Sequence, residues 1–379
     1  MNTLDQLSAF VRTNNDWLFG HFNYDLKNEI EKLSSNHPDR IQFPDLFFFV
    51  PEVVIQLSAT EINIGSFNND HENIYNNISL TGGQRLGEEN LHSALSPKEI
   101  PLIKERFSKT QYISTVEKLR AHILKGDCYE INFCQEFYAE NIEIDPVELY
   151  LKLSDTSPNP FSAYYKLDDK YLSCMSPERY LKKEGAHILS QPIKGTSKRN
   201  KNKEQDIINI DTLKTSEKER AENIMVVDLV RNDLSKICKK GSVIVDELCK
   251  IYSFPQVHQM VSTVSGELKD NIEFNEIIRA TFPMGSMTGA PKKRVMELIE
   301  EYELFKRGLF SGSIGYINPG NDFDFNVVIR STLYNQANKY LSFPTGSAIT
   351  FSSNAEEEYE ECLLKASAIK KVLAETNTF

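Results

Sequence analysis

GDCYEINFCQEFYAE, residues 126 to 140, alternates apolar and polar side chains as a strand does. Just before it, Tyr112 to Leu124 has apolar residues at 112, 113, 116, 119 and 123, a helical period. Strand-like stretches then recur towards the C-terminus: SAYYKLD (162–168), KYLSCMS (170–176), HILSQPI (187–193), SVIVDELCKIYS (242–253), QMVSTVSGEL (259–268), GSIGYI (312–317), FNVVIRSTLY (325–334) and KYLSFPTGSAIT (339–350). Helical spans are expected between them at about 217–236, 273–281, 290–304 and 355–375. Long strands with helices interspersed, and no strict βαβ alternation, predict an α+β fold with large antiparallel sheets.

Working back from that stretch, the chain changes character. Residues 61 to 107 are polar and rich in Asn, Gly and Glu, with TGGQRLGEEN at the centre, and read as a linker or irregular insert. Residues 1 to about 60 read as a helix followed by strands, with PDLFFFVPEVVIQL (44–57) as two buried strands joined at Pro51. The expected division is therefore an N-terminal region, 1–107, and a main domain, 108–379, the two packing as one unit.

The chain has 379 residues, 40% hydrophobic and 26% charged, enough for a substantial core. Its net charge of -11 argues against a nucleic-acid binder, which normally shows a basic face. Any site for a small anion must then bring its own cations. The six cysteines contain no CxxC and no zinc spacing with histidine, so they read as reduced thiols of a cytoplasmic protein. No basic-then-apolar leader opens the sequence. The most apolar run, Leu46 to Leu57, holds Pro51 and Glu52 and is too short to span a bilayer, so no membrane partner is expected. GxGxxG and GxxxxGK[ST] are both absent, which leaves a nucleotide cofactor unsupported.

Two helical stretches carry carboxylates in register. In SEKERAENIMVVDLVRND, Glu219 and Glu222 are three apart and share a face. Ser216 and Glu219 also form a capping-box pattern, a purely structural use of that acid. Glu222 directly precedes the apolar run Ile224 to Val227, where a carboxylate needs a partner. In NAEEEYEECLLKASAIKKVL, Glu358, Glu361 and Lys365 fall on one stripe, which is equally the pattern of a solvated face with an i,i+4 ion pair. Two such acid pairs with few histidines suit an oxygen-loving cation, Mg²⁺ before zinc. GSMTGAPKKR (285–294) brings backbone donors to a helix start, a place that favours anions. Lys194, in QPIKGTSKR (191–199), sits at the seam between a strand and a polar run. Alone, it reads first as a strand-end surface charge, since lysine is mostly exposed, with a positioned amine as the alternative.

SPERY, PIKGT, ERAENIMVVDLVRND, GSMTGAPK, GSIGYI and EEEYEE, in that order along the chain, resemble the chorismate-utilising enzymes, a family that includes anthranilate synthase component I, aminodeoxychorismate synthase component I, isochorismate synthase and salicylate synthase. The resemblance covers residues 108 to 375 and reaches the N-terminal part only faintly, through FGHFNYDLKNEIE. It implies an anthranilate synthase component I-like architecture, with the sheets packed as a sandwich and helices around the outside. It also implies chorismate as substrate, Mg²⁺ as cofactor, and ammonia from free ammonium or from a glutamine amidotransferase subunit.

Within the family, lysine in PIKGT and glutamine at Gln135 resemble the aminodeoxychorismate synthases, whereas anthranilate synthases carry PIAGT. The resemblance then implies that Lys194 attacks C2 of chorismate and expels the C4 hydroxyl, with Glu178 giving the proton and ammonia entering at C4. His258 is expected to act on the leaving hydroxyl. Glu222 and Glu361 would hold Mg²⁺ directly, with Glu219 and Glu358 behind them through water. Arg330 and Lys365 would bind carboxylates with backbone donors near Gly346, Tyr316 would face the pyruvyl side, and Thr288 and Gly289 would line the ring. Ala348, Met284 and Glu130 depart from the family pattern, Glu130 standing where glutamine is usual. The alternatives are an anthranilate synthase component I and a non-catalytic chorismate-binding regulatory homologue.

Overall fold

The computed structural model describes residues 2–81 and 102–376. Two antiparallel sheets carry the molecule. The nine-stranded sheet runs Ile193–Lys198, Val257–Glu267, His187–Gln191, Arg179–Glu184, Phe323–Asn326, Ser313–Ile317, Leu18–Phe22, Leu46–Phe49, with Ile244–Ser253 also paired to Val257–Glu267. The seven-stranded sheet runs Gly289–Ala290, Glu130–Glu140, Tyr340–Ile349, Ser331–Asn335, Lys170–Ser176, Phe161–Leu167, with Lys104–Glu105 on Glu130–Glu140. Leu181, Ile188 and Val264 of the first share one buried cluster with Leu172, Cys174 and Leu333 of the second. The expected α+β class with large antiparallel sheets is what the chain forms.

The strand that decides the fold is covered on both sides. Every residue from Glu130 to Phe137 is buried. Ile131 and Phe133 pack beneath the helices Lys109–Leu124 and Ala355–Thr376, with Tyr112, Val116 and Tyr359. Cys134, on the other face, belongs to the core between the sheets. The alternation thus separates two buried environments rather than core from water.

Three expectations are corrected here. FNVVIRSTLY is two strands in different sheets, Phe323–Asn326 and Ser331–Asn335. The crossing segment ends at Arg330, whose φ of 50° is a left-handed conformation that breaks the strand. The second of the two strands expected to be buried, Val53–Leu57, is largely exposed and pairs only with Ile62–Ser66. The span read as irregular also contains that Ile62–Ser66 strand and the helix His71–Thr81, while its centre lies outside the described residues. Polar composition hid both elements, since each buries little.

The N-terminal residues are built into the main body. Leu18–Phe22 pairs with Ser313–Ile317 along its whole length. Leu4, Leu7 and Val11 of the helix Thr3–Asn14 enter the same core as both sheets. Among the described residues no helix is long and apolar enough to cross a membrane.

Candidate active site

Lys194 sits near the start of the edge strand Ile193–Lys198, against Val257–Glu267. The pairing slips between Ile193 and Thr196, a bulge that aims Lys194. Gly195 makes the bulge possible. Its φ is 87°, and a Cβ there would stand 2.9 Å from Glu219 Oε2. Glycine therefore lets the helix Glu217–Ile237 bring its acids down onto the Lys194 strand.

The lysine is 8% exposed, and its Nζ donates to Glu130 Oε1 at 2.7 Å. Burial alone favours the neutral amine. Glu130 first, then Glu222 and Glu178, outweigh burial and hold Lys194 above its ordinary range, as an ammonium. Desolvation therefore does not by itself free the amine, because these anionic neighbours keep it charged.

Glu178 and Glu222 face the same ammonium from different elements. Glu178 is fully buried, and burial pushes its carboxyl up to about 7, against the Ser286 hydroxyl, the Lys194 charge and the Ile193 amide. Glu222 is also pushed up to about 7 by burial, with Lys194 opposing and Glu130 and Glu219 adding to it. Glu219 is raised by burial and by Glu361. At Glu361 burial would raise the carboxyl, but Lys365, Lys218 and Lys194 outweigh it and leave it lowered. These mutual effects put the two expected acid pairs and Lys194 within one electrostatic neighbourhood. A small cavity of about 20 Å³ extends from Glu178 past Tyr180, Met284 and Ser286 towards Asp233.

The acid cluster can be tested for a cation. Among the described residues no three Asp, Glu, His or Cys side chains converge closely enough to hold a metal ion as they stand. Lysines neutralise the acids instead: Lys194 on Glu130, Lys218 on Glu358 at 2.9 Å, and Lys365 on Glu361 at 2.6 Å. Yet Glu222 Oε1 and Glu358 Oε2 are buried without a hydrogen-bond partner among the described residues. Buried carboxylate oxygens of this kind are costly unless something positive reaches them. The donor set is all oxygen, so the residues fit a hard divalent cation.

The expected anion-binding groups lie on other elements. Arg330, half-buried at the crossing between the sheets, has no hydrogen bond or ion pair to its guanidinium among the described residues, and burial lowers its affinity for the proton. A desolvated guanidinium without a partner is a site for a carboxylate. Lys365 Nζ donates to the Gly346 carbonyl at 2.7 Å, tying the last helix to the strand Tyr340–Ile349. A Cβ at Gly346 would stand 2.5 Å from Cys134 Sγ. Thr288 is buried, and its hydroxyl donates to the Met284 carbonyl. Gly289 pairs with Ile131, and a Cβ there would lie 2.1 Å from the Glu130 carbonyl. GSMTGAPK thus acts by pressing backbone onto the Glu130 strand. Ala348 and Met284 are buried packing residues.

Three expected site residues are not brought into the cluster. Gln135 is five positions from Glu130 and so on the opposite strand face, where its Oε1 accepts from the Phe107 amide. His258 is fully buried with Nε2 at 3.0 Å from Asp206 and Nδ1 at 2.8 Å from Ser253 Oγ, so both ring nitrogens are engaged. Tyr316 packs its ring on Trp17 and Phe19, and the charges acting on its hydroxyl are those of Asp324, Lys182 and Arg179. Two residues were missed. Glu130 was read only as a departure, although a carboxylate in a doubly buried strand signals a charged partner. Gln259, opposite Thr196, is fully buried with neither amide atom bonded.

The same ordered motifs recur in known proteins. The chain is 34% identical over 388 residues to the "Probable aminodeoxychorismate synthase, chloroplastic" of Oryza sativa subsp. japonica, covering 94% of this chain and 43% of that one. It is 32% identical over 370 residues to "Aminodeoxychorismate synthase component 1" of Bacillus subtilis (strain 168), covering 93% and 76%. The chain therefore spans less than half of the rice relative's length. The crystal structure of anthranilate synthase component I from Streptococcus pneumoniae TIGR4 superposes with a TM-score of 0.82 at 26% identity, over 98% of this chain and 86% of that one. A family model described as chorismate binding enzyme matches residues 2–371, which takes in both sheets and every member of the Lys194 cluster, and the chain belongs to that family.

Proposed function

We propose that the protein is an aminodeoxychorismate synthase component I, replacing the C4 hydroxyl of chorismate with ammonia to give 4-amino-4-deoxychorismate, the precursor of 4-aminobenzoate and folate. The observation that carries this reading is a buried lysine, Lys194, facing Glu178 across a carboxylate-lined site. The printed names of the rice and Bacillus relatives agree with it.

The chemistry follows from the residues. Arg330 takes a substrate carboxylate on its unpaired guanidinium. Lys194, once neutral, attacks C2 of the ring. The ring double bond shifts, the C4–O bond breaks, and Glu178 gives the departing hydroxyl its proton. A carboxyl held near 7 is protonated often enough at neutral pH to do so. Ammonia then attacks C4, the double bond returns, and the lysine amine leaves C2. Glu222 and Glu361 would hold Mg²⁺, with Glu219 and Glu358 behind them, and the ion would supply positive charge to grip the ring carboxylate. Ammonia would come from a separate glutamine amidotransferase subunit or from ammonium salts.

The test is an endpoint assay with chorismate, Mg²⁺ and an ammonium salt, with and without aminodeoxychorismate lyase. The expected product is 4-aminobenzoate only when lyase is present. The likeness to the Streptococcus structure favours the sibling activity as second reading. Anthranilate formed without lyase would establish that one instead, and untouched chorismate in every arm would favour a non-catalytic homologue.

A further inference from the structure

Glu130 and Lys194 are the most deeply buried ion pair in the site. Oε1 of Glu130 lies 2.7 Å from Nζ, and the two residues are 1% and 8% exposed. The second oxygen, Oε2, is buried with no hydrogen-bond partner. The carboxylate cannot easily swing away. Its own backbone pairs with Ala290, Gly289 presses against its carbonyl, and the next residue, Ile131, also pairs with Ile349. Among the described residues Nζ has no other hydrogen-bond acceptor within reach.

Resting on the reading of Lys194 as nucleophile, we infer that Glu130 is the base that removes the proton from the Lys194 ammonium before attack. The step balances. The N–H bond of Nζ breaks, an O–H bond forms at Glu130, and both groups become neutral. The freed electron pair then makes the N–C2 bond as the C4–O pair leaves with the proton from Glu178. When ammonia displaces the lysine amine, the proton on Glu130 returns to Nζ. The charged groups that face this pair are Glu222 and Glu219 from the helix Glu217–Ile237, Glu178 from the strand end before Arg179, and Glu361 with Lys365 from the helix Ala355–Thr376. The surrounding carboxylates together stabilise the ammonium, so proton removal needs an acceptor already in contact. Glutamine at 130 could hold the hydrogen bond but could not take the proton.

A rival role predicts the opposite sign. If Glu130 only clamps the ammonium, removing its charge leaves more neutral amine and faster attack. Glu130→Gln is therefore compared with Glu130→Asp and the wild type across pH, with two readouts. The first is labelling of Lys194 by an amine-selective reagent, trinitrobenzenesulfonate, located by peptide mass spectrometry in the protein without substrate. Loss of the anionic partner should increase labelling of Lys194 in Glu130→Gln, at a urea-unfolding midpoint and circular dichroism close to wild type, which show separately that the variant is folded. The second is ammonia-dependent turnover of chorismate. For a base, kcat of Glu130→Gln should fall about 10²-fold with KM little changed, and should rise with pH where the wild type is level. Glu130→Asp should keep the wild-type shape. Turnover of Glu130→Gln at or above wild type would overturn the inference, as would unchanged labelling, which would mean that the contact does not exist in solution. Lys194→Ala separates the two claims: if it still turns over, the nucleophile reading fails, whereas its loss beside a fully active Glu130→Gln defeats only the base.

Discussion

At the scale of single residues, Lys194 has charge on three sides and one donor contact. Its ammonium offsets Glu130, Glu222 and Glu178, so truncating it removes both the proposed nucleophile and the charge balance of the site. Lys194→Ala should lower kcat about 10³-fold or more, measured by coupled 4-aminobenzoate formation. Glu178 makes a separate prediction. Burial holds its carboxyl at about 7, above the ordinary value of 4.5, so the acid form is present below about 7 and lost as pH rises through it. The rate of C4–O cleavage should fall over that range, and Glu178→Gln should lose the descending limb together with about 10²-fold in kcat. The sequence alone showed most of these side chains, because their motifs are long and ordered. It failed where one residue of offset decides the face. His258 and Gln259 are neighbours on one strand, and their side chains necessarily point opposite ways. Glu130 and Gln135 differ by an odd number of positions, with the same result. Neither direction can be read from composition when both faces of the strand are buried.

At the scale of elements, glycines set how closely strands and helices approach the site. Gly289 has a φ of 142° and its Cβ would overlap the Glu130 carbonyl at 2.1 Å. Backbone cannot give way there as a flexible side chain could. Gly289→Ala should therefore destabilise the fold by about 2 kcal/mol or more, read from urea unfolding, and should disturb the Glu130–Lys194 contact as well. The elements themselves were largely legible. The helices Glu217–Ile237, Phe274–Thr281, Lys292–Tyr302 and Ala355–Thr376 lie close to their expected spans, because each carries a sustained apolar period. Pro146–Thr156 and Lys203–Thr215 were not foreseen. The second starts where the sequence looked merely basic and polar, and its clearest signal was Asn202, which caps the first turn. FNVVIRSTLY was read as one strand because its apolar run is continuous. Only the left-handed backbone at Arg330 shows that the chain changes sheets there.

At the scale of the whole molecule, the site is a concentration of buried charge that the fold must hold together. Glu178 and Glu222 are both raised to about 7 from 4.5. Between those values the folded chain binds more protons than the unfolded one, so stability should decline as pH rises through that window and stay low above it. A metal-free sample should melt lower at pH 8 than at pH 5, and the double variant Glu178→Gln with Glu222→Gln should flatten that dependence. Mg²⁺ should reverse the trend. It binds ionised carboxylates, so it should raise Tm more at pH 8 than at pH 6, and Glu222→Gln should remove most of that gain. The fold class was readable because both large sheets are built from long strands without βαβ alternation. The incorporation of Leu18–Phe22 into the larger sheet was not, since it depends on pairing with a strand nearly 300 residues away.

The central claim is that Lys194 becomes covalently joined to the substrate ring. The direct measurement is mass spectrometry of the protein quenched after mixing with chorismate and Mg²⁺ in the absence of ammonia, followed by peptide mapping. The account predicts a mass gain equal to chorismate less one water, located on Lys194 and discharged when ammonium is added before the quench. Turnover with ammonium in a sample that never carries that mass on Lys194, at any quench time, would contradict it.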